Sequence, residues 1–491
     1  MADHQTRKPD GGIVGTKHGR SAAERLTAAV KTYDVRGLVD VDLTDEIIEA
    51  VGAAFVDEID AAGADVVVGH DMRDSSPRFA AAFASGARAR GANVVSIGLC
   101  STDESYFASG SMDAAAAMFT ASHNPATYNG IKMSRPGAQS LSFDTGLGAI
   151  RDRAIAYLES GIPSTEAPGS ERSADVLADY ARALRTFVPL EQIRPLRIVV
   201  DAGNGMGGMT VPAVLGRAAG LDALPVEVIP MYFELDGTFP NHEANPLDPA
   251  NLVDLKRAVV DSGADAGLAF DGDADRCFVV DDQGDPVSPS AVTAIVAVRE
   301  IARERSNGST DTIQVLHNLI TSRFVPEIID EHGAEPVRTR VGHSLIKAQM
   351  RETGAIFGGE HSAHYYFRDF WGADNGMLAA MHVLAELGSQ PLPLSEFAAE
   401  FSPYEQSGEI NSTVDNVPET YARIVDAFQG RAEFDEMDGL TATGITPKNE
   451  PFWWFNVRPS NTEPLVRLNV EGEDVATMES VRDEVLSLIR S

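Results

Sequence analysis

The chain has 491 residues, 43% of them hydrophobic and 23% charged, the balance of an ordinary globular protein. Its formal net charge of -33, from 73 acidic against 40 basic residues, argues against nucleic acid or an anionic membrane surface as a partner. Two cysteines, Cys100 and Cys277, exclude a disulfide framework and supply too few thiolates for a zinc cluster.

A single core stops growing at about 250 to 300 residues, so this length calls for several domains. Residues 1–22 lack the apolar stretch of a signal peptide and read as a disordered, cytoplasmic N-terminus. No run approaches the ~18 apolar residues of a membrane span, and nothing in the sequence speaks to oligomeric state.

Next comes TYDVRG (32–37), with Tyr33 and Arg36 ahead of a glycine. The apolar runs VVVG (66–69), NVVSIG (93–98) and AAAAMF (114–119) read as strands, with an alanine-rich helix over 77–90 between the first two. The third strand runs into TASHNPATYNGIK, which gathers Ser122, His123, Asn124 and Lys132. The chain has 33 arginines and 7 lysines, and Lys132 is the sole lysine between Lys31 and Lys256, so its place beside this loop stands out.

The strand–turn–helix pattern returns in RIVVDAGNGMGG (197–208) and again where ADAGLAF enters DGDADR (271–276). There Asp271, Asp273 and Asp275 fall at alternate positions, so that three hard carboxylate oxygens can converge on Mg²⁺ or Ca²⁺. An EF-hand is rejected, because Arg276 and Asp282 stand where that loop needs glycine and glutamate, and a strand leads in. A plain acidic surface turn is disfavoured by the repulsion of three close like charges without a cation.

A third round holds TIQVLHN, GHSLIK with His343 as a candidate proton carrier, and GGEHSAHYYF, followed by a helix at about 374–387. Glu360, Ser362 and His364 alternate, so an extended segment would turn an acceptor, a hydroxyl and an imidazole the same way, toward a ligand rich in hydroxyls. An exposed strand edge would look similar. After SQPLPLS (389–395) a smaller α+β unit follows, with helices over 417–429 and 474–489 flanking the strands WWFNV and LVRLNV. Between those strands RPSNTEP (458–464) offers Arg458, Ser460, Asn461 and Thr462, an anion-binding turn or a simple hairpin.

The fold class is therefore α/β: three related α/β domains and a smaller C-terminal α+β domain. The expected spans are 23–168, with the serine loop; 169–285, with the aspartate loop; 286–403, with the GEHSAH loop; and 404–491, with the RPSNTEP turn; the resemblance below implies that these four carry a phosphoserine, a metal, the sugar and a phosphate.

TYDVRG, TASHNP, DGDADR, GHSLIK, GEHSAH and RPSNTEP, in this order over residues 32–464, resemble the α-D-phosphohexomutases, most closely their phosphomannomutase/phosphoglucomutase branch. The resemblance implies four domains around a central cleft and a phosphoryl group carried on Ser122, whose phosphate shares one Mg²⁺ with Asp271, Asp273 and Asp275. Lys132 and Arg276 would stabilise the transferring group, and His343 or Lys132 would move the proton of the sugar hydroxyl. Glu360, Ser362 and His364 would bind the sugar, while Arg458, Ser460, Asn461 and Thr462 would grip the other phosphate; Tyr33, Arg36, His123 and Asn124 would also line the site. The implied reaction interconverts hexose 1-phosphate and hexose 6-phosphate, of mannose and also glucose, through a hexose 1,6-bisphosphate that doubles as activator. Ala363 and Asn461 stand where the family often has glycine, which bears on substrate choice and leaves phosphoglucosamine mutase as an alternative. A metal-dependent sugar phosphatase or a non-catalytic sensor would use some of the same residues, but neither needs a second phosphate site together with an intact serine and aspartate triplet.

Overall fold

The structure is a computed structural model that describes residues 19–163, 165–447, 450–459 and 465–491, and the backbone but not the side chains of His343 and Ser344. Three mixed sheets, each flanked by helices, are followed by a fully antiparallel one.

The first three sheets repeat one plan. Apart from the edge strand Val35–Leu38, which precedes the rest of the first sheet, a central strand is laid first, a parallel neighbour is added on one side, a second parallel neighbour on the other, and the chain then turns back in an antiparallel hairpin. In the first sheet these are Asp65–His70, Asn93–Leu99, Ala115–Phe119 and Tyr128–Arg135. The second uses Leu196–Asp201, Val226–Met231, Ala266–Phe270 and Cys277–Val280. The third uses Gln314–Asn318, Glu335–Thr339, Phe357–Gly359 and Tyr365–Phe367. The serine, aspartate and sugar loops thus occupy one topological position three times, at the C-terminal end of the second parallel neighbour, where α/β sheets present their ligand sites.

Helices cover both faces of the first sheet, and its central strands are apolar on both sides for that reason. In Ala115–Phe119, residues Ala115, Ala117 and Phe119 enter one core while Ala116 and Met118 enter another. That second core is continuous with those of the next two domains. Helix Gly376–Ser389 is apolar around most of its circumference because it is buried there.

Three expected edges move. Ser21 caps the helix Ala22–Ala29 through a reciprocal bond with Glu24, so ordered chain begins before residue 23, whereas residues 1–18 lie outside the described residues. Strand Glu171–Ser173 pairs with Val94–Ser96, which carries the first sheet past residue 168. Strand Pro286–Val287 pairs with Val279–Val280, which carries the second past 285. Both are two- or three-residue edge strands, too short to show periodicity.

The last domain packs helices Val417–Phe428 and Val475–Ile489 on its sheet, joining Ile424, Phe428, Val481 and Val485 to Phe455 and Leu468. Two of its contacts with the third domain set a carboxylate against backbone N–H groups. Buried Glu471 accepts from Arg323 N at 2.9 Å and Trp454 Nε1 at 2.8 Å, and Asp438 accepts from Val341 N at 3.0 Å.

Candidate active site

The serine loop leaves a buried strand and returns as Tyr128–Arg135, and Ser122 itself adopts φ +49. A left-handed backbone at a side chain other than glycine costs about 1 to 3 kcal/mol and persists only where its surroundings over-determine it. Here Arg73 does so. Its Nη2 donates to Ser122 O at 2.8 Å and Asn124 O at 2.6 Å, and its Nη1 to Pro125 O at 2.9 Å and Tyr128 O at 3.1 Å. Asp71 holds Arg73 Nε at 3.2 Å, and the guanidinium lies 5.0 Å from the Phe239 ring centroid. Sequence reasoning missed Arg73; its only signal was a place just after the strand Asp65–His70.

The serine loop abuts the aspartate loop backbone to backbone, so closely that a Cβ on Gly272 would stand 2.4 Å from Ser122 O. Ser122 Oγ donates to Asp271 Oδ2 at 2.8 Å. Arg276 Nη2 reaches Ser122 Oγ at 3.4 Å and His123 Nδ1 at 2.6 Å, and it donates to Asp271 Oδ2 at 2.8 Å. Burial, with Arg276 and Arg36 close by, holds His123 well below the ordinary imidazole range, so it is neutral. Asn124 Oδ1 accepts from Arg36 Nη1 at 2.5 Å, and Arg36 Nη2 donates to Asp34 at 2.6 Å.

All three aspartates are buried. Lys132 Nζ bridges Asp273 Oδ2 and Asp275 Oδ2, at 2.6 Å each, and Thr102 Oγ1 also donates to Asp273 Oδ2, at 2.5 Å. Burial disfavours the charge on Lys132, but Asp273 and Asp275 outweigh it and hold the amine well above its ordinary value. In this arrangement the Lys132 ammonium is suited to stabilise negative charge. Burial pushes Asp271 up, reinforced by its two neighbours against Arg276. Asp273 is depressed, because Lys132 and Thr102 overcome its burial.

Three carboxyl groups face two cations in a buried site, one acid more than the cations can pair. Among the described residues Asp273 Oδ1 and Asp275 Oδ1 are buried without a hydrogen-bond partner, and ligand oxygens of all three aspartates lie within 4.8 Å of one another. Orphaned hard oxygens on a surplus of carboxylate fit a divalent cation such as Mg²⁺.

In the sugar loop, Ala363 adopts φ +63, as Ala274 does at the same place in the aspartate loop. A glycine would adopt that conformation without steric cost, which accounts for the departure noted at Ala363. Glu360 is buried, its Oε2 accepting from Tyr366 OH at 2.6 Å and its Oε1 from Gly342 N at 3.1 Å. Ser362 and His364 are half-buried. A ring nitrogen of His364 and oxygens of Asp275 and Asp374 lie within 4.8 Å of one another, so the sugar and aspartate loops meet. Gly342, at φ +141, must lack a side chain, because a Cβ there would lie 2.7 Å from Tyr33 OH. Burial, then Asp438 and Glu360, raise the Tyr33 phenol, which lies where the first, third and fourth domains converge.

His343 begins the helix His343–Thr353, one residue after Gly342. Arg458 is the penultimate residue of the strand Trp453–Pro459 and donates to Glu409 Oε2 at 3.3 Å, while Arg467 lies 3.2 Å from Glu409 Oε1. Ser460, Asn461 and Thr462 lie outside the described residues.

The described loops thus bring Ser122, Lys132, the aspartates, Arg276 and His364 into one place. Four family models match in series. They are described as Phosphoglucomutase/phosphomannomutase alpha/beta/alpha domains I, II and III, over residues 27–154, 178–284 and 289–404, and the C-terminal domain, over 409–488. The phosphohexose mutases of Xanthomonas campestris pv. campestris (strain ATCC 33913) are 38% identical over 467 residues, covering 94% of this chain and 99% of theirs. The phosphomannomutase of Escherichia coli (strain K12) is 35% identical over 463 residues, covering 94% of this chain and 98% of its own. A crystal structure of a phosphoglucomutase/phosphomannomutase family protein from Burkholderia thailandensis superposes with a TM-score of 0.82 at 29% identity, covering 96% of this chain and 97% of that one. With all four domains matched in order around a buried serine–aspartate site, the chain belongs to the phosphoglucomutase/phosphomannomutase family.

Proposed function

We propose that this protein interconverts hexose 1-phosphate and hexose 6-phosphate, with mannose and glucose as its sugars, through a phosphoryl group carried on Ser122. The observation that carries the reading is the Ser122 hydroxyl, 2.8 Å from Asp271 at the head of three buried aspartates, with Arg276 at 3.4 Å.

In the proposed reaction the P–O bond to Ser122 Oγ breaks as a bond forms between phosphorus and a free hydroxyl of the sugar phosphate, whose proton passes to a base. The hexose 1,6-bisphosphate turns end for end, and its other phosphoryl group returns to Ser122. Hexose 1,6-bisphosphate also serves as activator by loading the serine. Arg276 and the Lys132 ammonium stabilise charge spread over the transferring oxygens. The base is assigned to His343 or Lys132, and the carboxylate partners of Lys132 favour its ammonium form. Asp271, Asp273 and Asp275 would hold Mg²⁺, which when bound supplies Lewis-acid stabilisation of the phosphoryl oxygens. Glu360, Ser362 and His364 are assigned to the sugar, and Arg458 with Ser460, Asn461 and Thr462 to the phosphate that is not reacting. Tyr33 and Arg36 border the same cleft, while His123 and Asn124 shape the serine loop.

The test supplies mannose, glucose and glucosamine 1-phosphates with Mg²⁺ and a trace of hexose 1,6-bisphosphate, measuring 6-phosphate and free inorganic phosphate together. Mannose and glucose 1-phosphates are expected to isomerise with little phosphate release, and phosphate to map to Ser122. Glucosamine 1-phosphate turned over best would make the protein a phosphoglucosamine mutase. Stoichiometric phosphate release would make it a phosphatase.

A further inference from the structure

Thr102, in the first domain, lies 171 residues from Asp273, in the second, yet binds it twice across the seam where the two domains meet. Thr102 N donates to Asp273 O at 3.0 Å, and Thr102 Oγ1 donates to Asp273 Oδ2 at 2.5 Å. Both residues are fully buried. The same oxygen takes the Lys132 ammonium at 2.6 Å, whereas Asp273 Oδ1 has no hydrogen-bond partner among the described residues. A carboxylate can turn about its terminal torsion at little cost, since that torsion is broad. Two donors on Oδ2 remove this freedom and leave Oδ1 as the open ligand atom.

Thr102 is itself held firmly. It is the first residue of the helix Thr102–Ser111, whose cap Ser101 and third residue Glu104 bond reciprocally. The following residue, Asp103, accepts from Tyr180 OH of the second domain at 2.5 Å. Lys132 cannot replace this function alone, because its amine is shared between Asp273 and Asp275 and reaches them on a long, flexible stem.

We propose that Thr102 is a positioning residue for the divalent cation, its hydroxyl setting the orientation of Asp273 so that Oδ1 faces the ion. The proposal rests on the cation site assigned above. Hydrogen-bond partners behind a metal ligand typically contribute about 10- to 100-fold to metal affinity.

The experiment measures Mn²⁺ binding to the full-length, phosphatase-treated protein by electron paramagnetic resonance of the free ion, with no turnover required. Thr102→Val preserves shape and removes the hydroxyl, and Thr102→Ser restores it. The expected result is a Kd raised about tenfold or more in T102V and within about twofold of wild type in T102S, with unchanged circular dichroism in both. A folded T102V that binds Mn²⁺ as wild type does would overturn the proposal. Should T102V not fold, T102S decides it: a tenfold loss there, with the hydroxyl still present, also overturns it. Wild-type protein that bound no Mn²⁺ would instead remove the cation site, and this inference with it.

Discussion

Replacing Arg73 by lysine keeps the charge and destroys the fork. The guanidinium serves four carbonyls of the serine loop, at 2.6 to 3.1 Å, from two nitrogens held in one plane, and a third nitrogen faces Asp71. An ammonium has three donors on one atom and cannot reach carbonyls spread from Ser122 to Tyr128. At least two charge-assisted bonds are lost, each contributing about 1.5 to 3 kcal/mol. Asp71 is left in a buried site with a weaker partner, the kind of change that costs about 3 to 5 kcal/mol in all. The serine loop, held in a left-handed conformation at Ser122 by those bonds, should relax and move the nucleophile. A displacement near 1 Å is enough for about a 100-fold loss of rate. Arg73 is 1% exposed and has no access to substrate, so the loss should fall on kcat while KM changes little. The assay is steady-state conversion of hexose 1-phosphate, run beside urea unfolding of the first domain. Arg73→Lys within twofold of wild type in kcat, and within about 1 kcal/mol in stability, would refute the reasoning.

Arg458→Ala should raise KM for hexose phosphates at least tenfold while Ser122 still accepts phosphate from the bisphosphate, because the arginine is assigned to the distal phosphate and not to the transfer; an unchanged KM would remove it from the site. A pH effect is expected at Asp103, which burial pushes from 3.8 up to about 7 despite bonds from Ser101 and Tyr180. Between those values the folded state holds a proton that the unfolded state has released, so this group's contribution to stability falls as pH rises through that window. Asp103→Asn carries no such proton, and its melting temperature should gain on wild type from pH 5 to pH 7 and then run parallel; a constant difference would show that Asp103 is ionised in the fold.

Much of the site is local in sequence and was legible there. A buried strand running into TASHNP, three aspartates at alternate positions after another strand, and GEHSAH after a third each carry their chemistry within six residues, because the strand that precedes each loop sets its direction. The division into three α/β domains and a smaller last one followed from the same alternation. What only the tertiary structure decided is how these loops combine. The serine loop is shaped by Arg73, 49 residues upstream of Ser122, and Lys132 closes on aspartates 141 and 143 residues away. Neither pairing leaves a periodic trace, since a through-space hydrogen bond depends on where two sheets meet and not on spacing along the chain. The same contacts set the surroundings of Lys132: two carboxylates at 2.6 Å, in a buried seam between domains, favour its ammonium form, which the residue type alone does not indicate.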